Sequence, residues 1–222
     1  MVRRLRREYL GQREWGKNML TLDHLAVSCT TLAEGVAAVE AALGVSLAPG
    51  GVHPHMSTHN RLLGLGADLY LEVIAIDPSA PAVPYPRWFS LDRFRGAPRL
   101  TNWICRTEDL DGALALAPAG LGVPTALSRG AYRWRFAIPA SGTLPFDDAH
   151  PALIEWQGAA HPAQALPDVG CRLQRLEIAH PQADALRARL AGQIADPRLA
   201  FVTGPVAMRA DILTPHGLRV LQ

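Results

Sequence analysis

The chain has 222 residues, nearly half of them apolar (49%), and a formal net charge of +2. That excludes a disordered chain and allows a sizeable core in one large domain or two small ones. The charge is uneven, because residues 1–18 carry six cations (Arg3, Arg4, Arg6, Arg7, Arg13 and Lys17) against Glu8 and Glu14, and the rest is mildly acidic. A basic tail on an acidic body makes no nucleic-acid face, and without a run of 18 apolar residues no membrane span is expected.

The N-terminal segment lacks an apolar signal region, so residues 1–18 are expected to be a disordered extension and the protein cytoplasmic. The three cysteines, Cys29, Cys105 and Cys171, form no CxxC pair and are read as buried thiols rather than disulfides.

In chain order, Leu22 to Ser28 reads as a strand. Thr31-Leu32-Ala33-Glu34 follows as a capping box, with Glu34 reaching back to the Thr31 amide. Leu32, Val36, Val39 and Leu43 line one helical face, and Gly44 ends the helix in a left-handed conformation. Pro49-Gly50-Gly51 reads as a turn. His53 and His55 flank a proline in a loop, where no ligand role is expected. His59 opens the next strand, where His59 and Arg61 share a face and Asn60 points the other way. Asp68 to Ile76 is the strongest strand signal. Glu72 in its middle is costly among apolar neighbours unless paired, exposed or metal-bound.

Residues 77–99 are Pro-rich and read as a connection, with Arg87-Trp88-Phe89 at its centre. A second series begins at Leu100: a strand, a helix from Leu110 to Ala117, a strand from Tyr132 to Ile138, and a strand from Ala152 to Trp156 carrying Glu155. A third begins at Leu173, with a helix opening at His180-Pro181 and short strands near Ala200 to Val202, Ala207 to Leu213 and Leu218.

These series repeat. A slide of 78 positions places Leu22-Asp23-His24-Leu25-Ala26 on Leu100-Thr101-Asn102-Trp103-Ile104. A slide of 83 places Leu71-Glu72-Val73 on Ile154-Glu155-Trp156. The chain therefore reads as α+β, with two βαβββ modules forming a cup-shaped mixed sheet and a partial third βαββ module. The divisions are residues 19–99, 100–170 and 171–222, the whole of 19–222 forming one unit.

This arrangement resembles the vicinal oxygen chelate superfamily, and within it the glyoxalase-like domain proteins. The segments that carry the match include Leu22-Asp23-His24-Leu25, Thr58-His59-Asn60-Arg61-Leu62-Leu63, Tyr70-Leu71-Glu72-Val73-Ile74-Ala75, Pro86-Arg87-Trp88-Phe89 and Leu153-Ile154-Glu155-Trp156. The resemblance implies one divalent metal (Zn, Fe, Mn or Ni) in the cup, held from the first and last strand of each module. Those positions are His24, Glu72, Asn102 and Glu155.

Asn102 departs from the pattern, since a histidine is usual there and a neutral amide is a poor ligand. Either His24, Glu72 and Glu155 hold the metal while Asn102 binds substrate, or the cup is a metal-free polar pocket. The alternative for each glutamate is an arginine partner, with Arg61, Arg133 and Arg135 the candidates. Glu72 or Glu155 is the expected catalytic carboxylate. His59, Asn60, Arg61, Asn102, Trp134, Arg135 and Trp156 are the expected substrate contacts.

Besides a structural dimer with a vestigial site, two functions remain open. One is a metal-dependent lyase, isomerase or oxygenase acting on a small oxygenated metabolite. The other is a metal-free, drug-sequestering binding protein of the bleomycin-resistance kind. A small-molecule ligand and a homodimer are expected in either case, with no nucleic-acid partner.

Overall fold

The computed structural model describes residues 20–222, so the basic segment read at 1–18 lies outside the described residues. The first module runs β1 (Thr21–Ser28), α1 (Leu32–Leu43), β2 (Ala48–His53), β3 (Thr58–Gly64) and β4 (Tyr70–Ile76). The second runs β5 (Arg99–Arg106), α2 (Leu110–Leu116), β6 (Val123–Arg129), β7 (Tyr132–Ile138) and β8 (Ala152–Trp156). A short helix, α3 (Pro162–Ala165), leads to β9 (Arg172–Ala179), α4 (Ala183–Leu190), β10 (Leu199–Val202), β11 (Ala207–Thr214) and β12 (Gly217–Leu221).

The two modules share one eight-stranded sheet in the order β2-β3-β4-β1-β5-β8-β7-β6. Each half is the mirror of the other in strand order. β1 and β4 pair in parallel, as do β5 and β8, and the halves meet at the antiparallel β1–β5 seam. The expected α+β cup of two βαβββ modules is the observed architecture.

The third unit departs from a partial copy. It has a complete βαβββ order, but its sheet runs β10-β9-β11-β12. The strand after its helix returns beside β9 and pairs with it in parallel, making a βαβ crossover. In the other two modules the strand after the helix becomes an outer edge.

Local chemistry accounts for the elements. Thr31 caps α1 by accepting from the Glu34 amide at 3.3 Å, and Glu34 Oε2 accepts from the Thr31 hydroxyl at 3.0 Å rather than from its backbone. Gly44 closes the helix at φ 72°. α1 buries Gly35, Val39 and Leu43. The helix expected to open at His180-Pro181 starts at Ala183, after a turn in which the Gln182 amide donates to His180 Nδ1 at 2.9 Å.

Pro49-Gly50-Gly51 belongs to a strand, not to a free turn. β2 is an edge strand with an irregular register between Pro49 and Val52, and edges tolerate Pro and Gly. All three cysteines are free and buried. Burial pushes the Cys29 thiol up to about 12, which keeps it an unreactive packing group. No helix among the described residues is long and apolar enough to cross a membrane.

Candidate active site

The concave face of the sheet holds a cleft with two unlike walls. The first module supplies polar groups, His24, His53, Asn60, Tyr70 and Glu72, and the second supplies Tyr132, Trp134, Phe136 and Trp156. The cleft measures about 460 Å³ with its open mouth, but it narrows to room for about two water molecules.

Period two decides which side chains enter. Glu72 pairs with Ala26 of β1 and Leu62 of β3, so those three share the concave face with His24, Tyr70 and Asn60. Asn60 is therefore the β3 group in the cup. His59 and Arg61 point to the other face and line a separate shallow groove beside α1.

Glu72 is buried, with 6% of its surface exposed. Asn60 Nδ2 donates to its Oε1 at 2.5 Å, and the Gly51 amide donates to Asn60 Oδ1 at 2.7 Å, so the Asn60 amide is held from both ends. A Cβ on Gly50 would lie 2.2 Å from the Asn60 carbonyl oxygen and 2.2 Å from Oδ1. The glycine pair in β2 is thus what lets Asn60 sit close enough to steer the carboxylate.

The other carboxylate oxygen, Oε2, lies 3.8 Å from His24 Nε2. His24 Nδ1 donates to Asp23 Oδ1 at 2.6 Å, which fixes the ring and turns Nε2 toward Glu72. Neighbouring strand residues normally face opposite ways. The β1 register shifts between Leu22 and His24, and that bulge brings Asp23 beside the His24 ring.

Asp23 is fully buried and also accepts from His161 Nε2 at 2.9 Å and Trp156 Nε1 at 3.0 Å. Burial alone would raise its pKa, but the hydrogen bonds from His161 and His24 hold it well below the usual carboxylate range. Tyr70 stacks on His24 with ring centroids 4.5 Å apart.

His53, read from sequence as a loop residue, ends β2 inside the cup. It is buried, its Nδ1 donates to Thr58 Oγ1 at 3.1 Å, and its Nε2 accepts from Arg129 Nη1 at 3.1 Å. Burial pushes its pKa down to about 4, with Arg129 acting in the same direction against the opposing pull of Glu72.

The inter-module connection forms part of the second wall. Trp88 and Phe89 lie against Phe136, with centroids 5.3 and 6.0 Å away. Phe89 and Ser90 both hold positive φ, and Ser90 is tied down by Gly142 O at 2.9 Å and Asp148 Oδ2 at 2.7 Å.

Glu155 does not join Glu72. β8 aims Ile154 and Trp156 into the cup, and Glu155 faces away, where Arg135 Nη1 donates to it at 2.9 Å and Arg135 Nη2 to Asp111 at 2.6 Å. The pairing that sets Glu72 against Ala26 sets Ala152 against Ile104, the counterpart of Ala26, so Glu155 stands three residues beyond the Glu72 position, and an odd shift reverses the facing. Glu155 and Arg135 form an ion pair outside the cup. Trp134 and Trp156 both line it. Asn102 faces the same way as Ala26 and Glu72, but it does not line the cleft, and both its amide atoms are buried without a partner.

The metal centre implied by the resemblance does not assemble from these residues. Of the four strand positions, the first module presents an imidazole and a carboxylate, and the second presents a neutral amide at Asn102 and the methyl group of Ala152. Among the described residues no group of three or more His, Cys, Asp and Glu side chains converges as ligands. Asp23, His53, Tyr70, Trp88, Arg129, Tyr132 and His161 are the site residues sequence reasoning missed. Asp23 carried a signal as the polar neighbour of His24 in a buried strand, and Tyr70 and Trp88 lie in segments that carry the family resemblance.

A cup-shaped sheet of two mirrored modules, with its polar groups on the concave face, is the architecture of a vicinal oxygen chelate protein. A family model described as a glyoxalase-like domain matches residues 22–194, most of the chain, and the chain belongs to that family. No curated protein matches it. Among solved structures, a hypothetical protein from Staphylococcus aureus is similar over 91% of this chain and 84% of its own, with TM-score 0.58 and 12% identity. Methylmalonyl-CoA epimerase from Mycobacterium tuberculosis aligns over 63% of this chain and 88% of its own, with TM-score 0.40 and 18% identity. A hypothetical protein from Bacillus halodurans aligns over 64% and 96%, with TM-score 0.41 and 14% identity.

Proposed function

We propose that this glyoxalase-like protein is an isomerase or lyase that moves a proton on a small oxygenated molecule, with Glu72 as the group that takes and returns it. The observation that carries this is the state of Glu72. It is a buried carboxylate in a cleft, with one oxygen fixed by Asn60 and the other free to face a ligand. No arginine or lysine among the described residues lies within salt-bridge distance of it.

A carboxylate so placed suits removal of a proton from carbon beside a carbonyl, where the carbanion is delocalised into the carbonyl oxygen. His24 Nε2 is set to hydrogen-bond a substrate oxygen beside Glu72, because Asp23 holds the ring by its other nitrogen. The tryptophan side of the cleft excludes water from the transfer. The narrowness of the cleft favours a small substrate.

The aromatic wall also supports a second reading, a binding protein that holds a flat ligand and does no chemistry. One experiment separates the two. Small α-oxo and α-hydroxy carbonyl compounds are incubated with the protein in D2O, and loss of the α-proton signal is followed by NMR. Exchange that disappears in Glu72→Gln supports the enzyme. Tight binding of a compound with an exchangeable α-proton, without exchange, would make the cup a binding pocket. In the same preparation, Mn²⁺, Ni²⁺ or Zn²⁺ is expected to leave Tm unchanged. A rise lost in His24→Ala would show that the first module's two donors hold a metal after all.

A further inference from the structure

Arg129 ends β6 at the far edge of the sheet, before the two-residue turn Gly130-Ala131. Its guanidinium reaches β2 at the opposite edge, so the two ends of the eight-stranded sheet meet at this side chain. β2 leaves room for it, since a Cβ on Gly51 would stand 2.8 Å from Arg129 Cδ. What it meets there is uncharged. Nη1 donates to His53 Nε2 at 3.1 Å and, at the limit of a hydrogen bond, to Asn60 Oδ1 at 3.5 Å. Among the described residues no carboxylate lies within 4.0 Å of it, and it is the one guanidinium lining the cleft.

A half-buried guanidinium with only neutral acceptors has donors left to give, and a planar fork matches a carboxylate. Building on the function proposed above, we infer that Arg129 binds the carboxylate of the substrate, which is a small monoanionic acid with a flat apolar body that extends into the open mouth of the cleft. The other wall supports the body: Trp134 and Phe136 from β7 and Trp88 from the connection line the same cleft, and aromatic faces take a flat group. The charge is limited to one, because a single guanidinium does not balance a phosphate dianion beside the buried Glu72 carboxylate. The geometry also gives order to the site. With its carboxylate on Arg129, the ligand points its body across Asn60 toward Glu72 and His24, which puts the adjoining carbons where the proton is taken.

The test is binding, so that it stands apart from turnover. Phenylpyruvate and phenylacetate are titrated into the full chain by calorimetry, beside the uncharged phenylacetone and the dianion phenyl phosphate. Both carboxylates are expected to bind at millimolar or tighter Kd, and Arg129→Gln to weaken them about tenfold or more. Arg129→Lys should recover part of the loss. Phenylacetone should bind more weakly and equally to wild type and Arg129→Gln.

Circular dichroism of Arg129→Gln checks that the sheet still closes. The inference is overturned if neither carboxylate binds the wild type, if phenylacetone or phenyl phosphate binds as well as they do, or if Arg129→Gln keeps their affinity. Glu72→Gln separates the two claims. If it binds the carboxylates and the wild type catalyses no exchange, the anion site stands and the proton-transfer function falls.

Discussion

Asp23 is the residue on which both walls of the cleft depend. It takes hydrogen bonds from His24 beside it in β1, and from Trp156 and His161 in the second module. A buried carboxylate with three such partners is stable only while all three are in place. Asparagine there has one acceptor oxygen for three donors and brings two N–H groups of its own. Asp23→Asn is therefore expected to cost about 3 kcal/mol in urea unfolding. It should also release His24 from a single tautomer, visible as a mixture in the imidazole nitrogen spectrum. Unchanged stability together with an unchanged Nδ1–H tautomer would show that Asp23 does not position His24.

At the scale of elements, the strands and helices were largely legible, because apolar periodicity and capping residues act locally. β4, β7, β8 and α1 fall where their patterns put them. The facing of a strand was legible only where the pattern was anchored. Glu72 is in the cup and Glu155 is out of it, although both sit in mid-strand among apolar residues. In the β5–β8 pairing Ala152 takes the place of Glu72, three residues before Glu155, and that register depends on loop geometry rather than on the residues of β8. His53, Arg129 and Trp88 were out of reach for another reason. They come from an edge strand, a hairpin end and a connection, and meet only when the sheet curls.

Gly50 belongs to this scale as well, since it sets the approach of β2 to β3. Gly50→Ala is expected to force Asn60 away from β2 and to destabilise by about 2 kcal/mol in urea unfolding. Stability equal to wild type would mean that Asn60 is not held as tightly as its hydrogen bonds to Gly51 and Glu72 imply.

Across the whole molecule, buried neutral histidines tie stability to pH. Burial pushes both His53 and His150 down to about 4 from the ordinary 6.5. In the unfolded chain both take up protons as pH falls through 6.5, and in the folded chain they do not until about 4. Their contribution is thus full above pH 6.5 and is lost as pH falls toward 4, by up to roughly 3 kcal/mol for each. Unfolding free energy should drop steeply across that window, with proton uptake on unfolding. A flat profile would mean that the imidazoles are accessible to protons in the folded state.

The curled sheet makes one concave face from two modules, and the proton transfer proposed above belongs to that face alone. The most direct test sets Glu72→Gln beside Glu155→Gln in the same D2O exchange assay, with a carbonyl substrate that the wild type deuterates. Glu72→Gln is expected to reduce exchange by a factor of about 100 or more, while Glu155→Gln, which breaks only an ion pair outside the cup, stays near wild type. Loss of exchange in Glu155→Gln, with Glu72→Gln still active, would place the chemistry outside the cup and contradict the assignment.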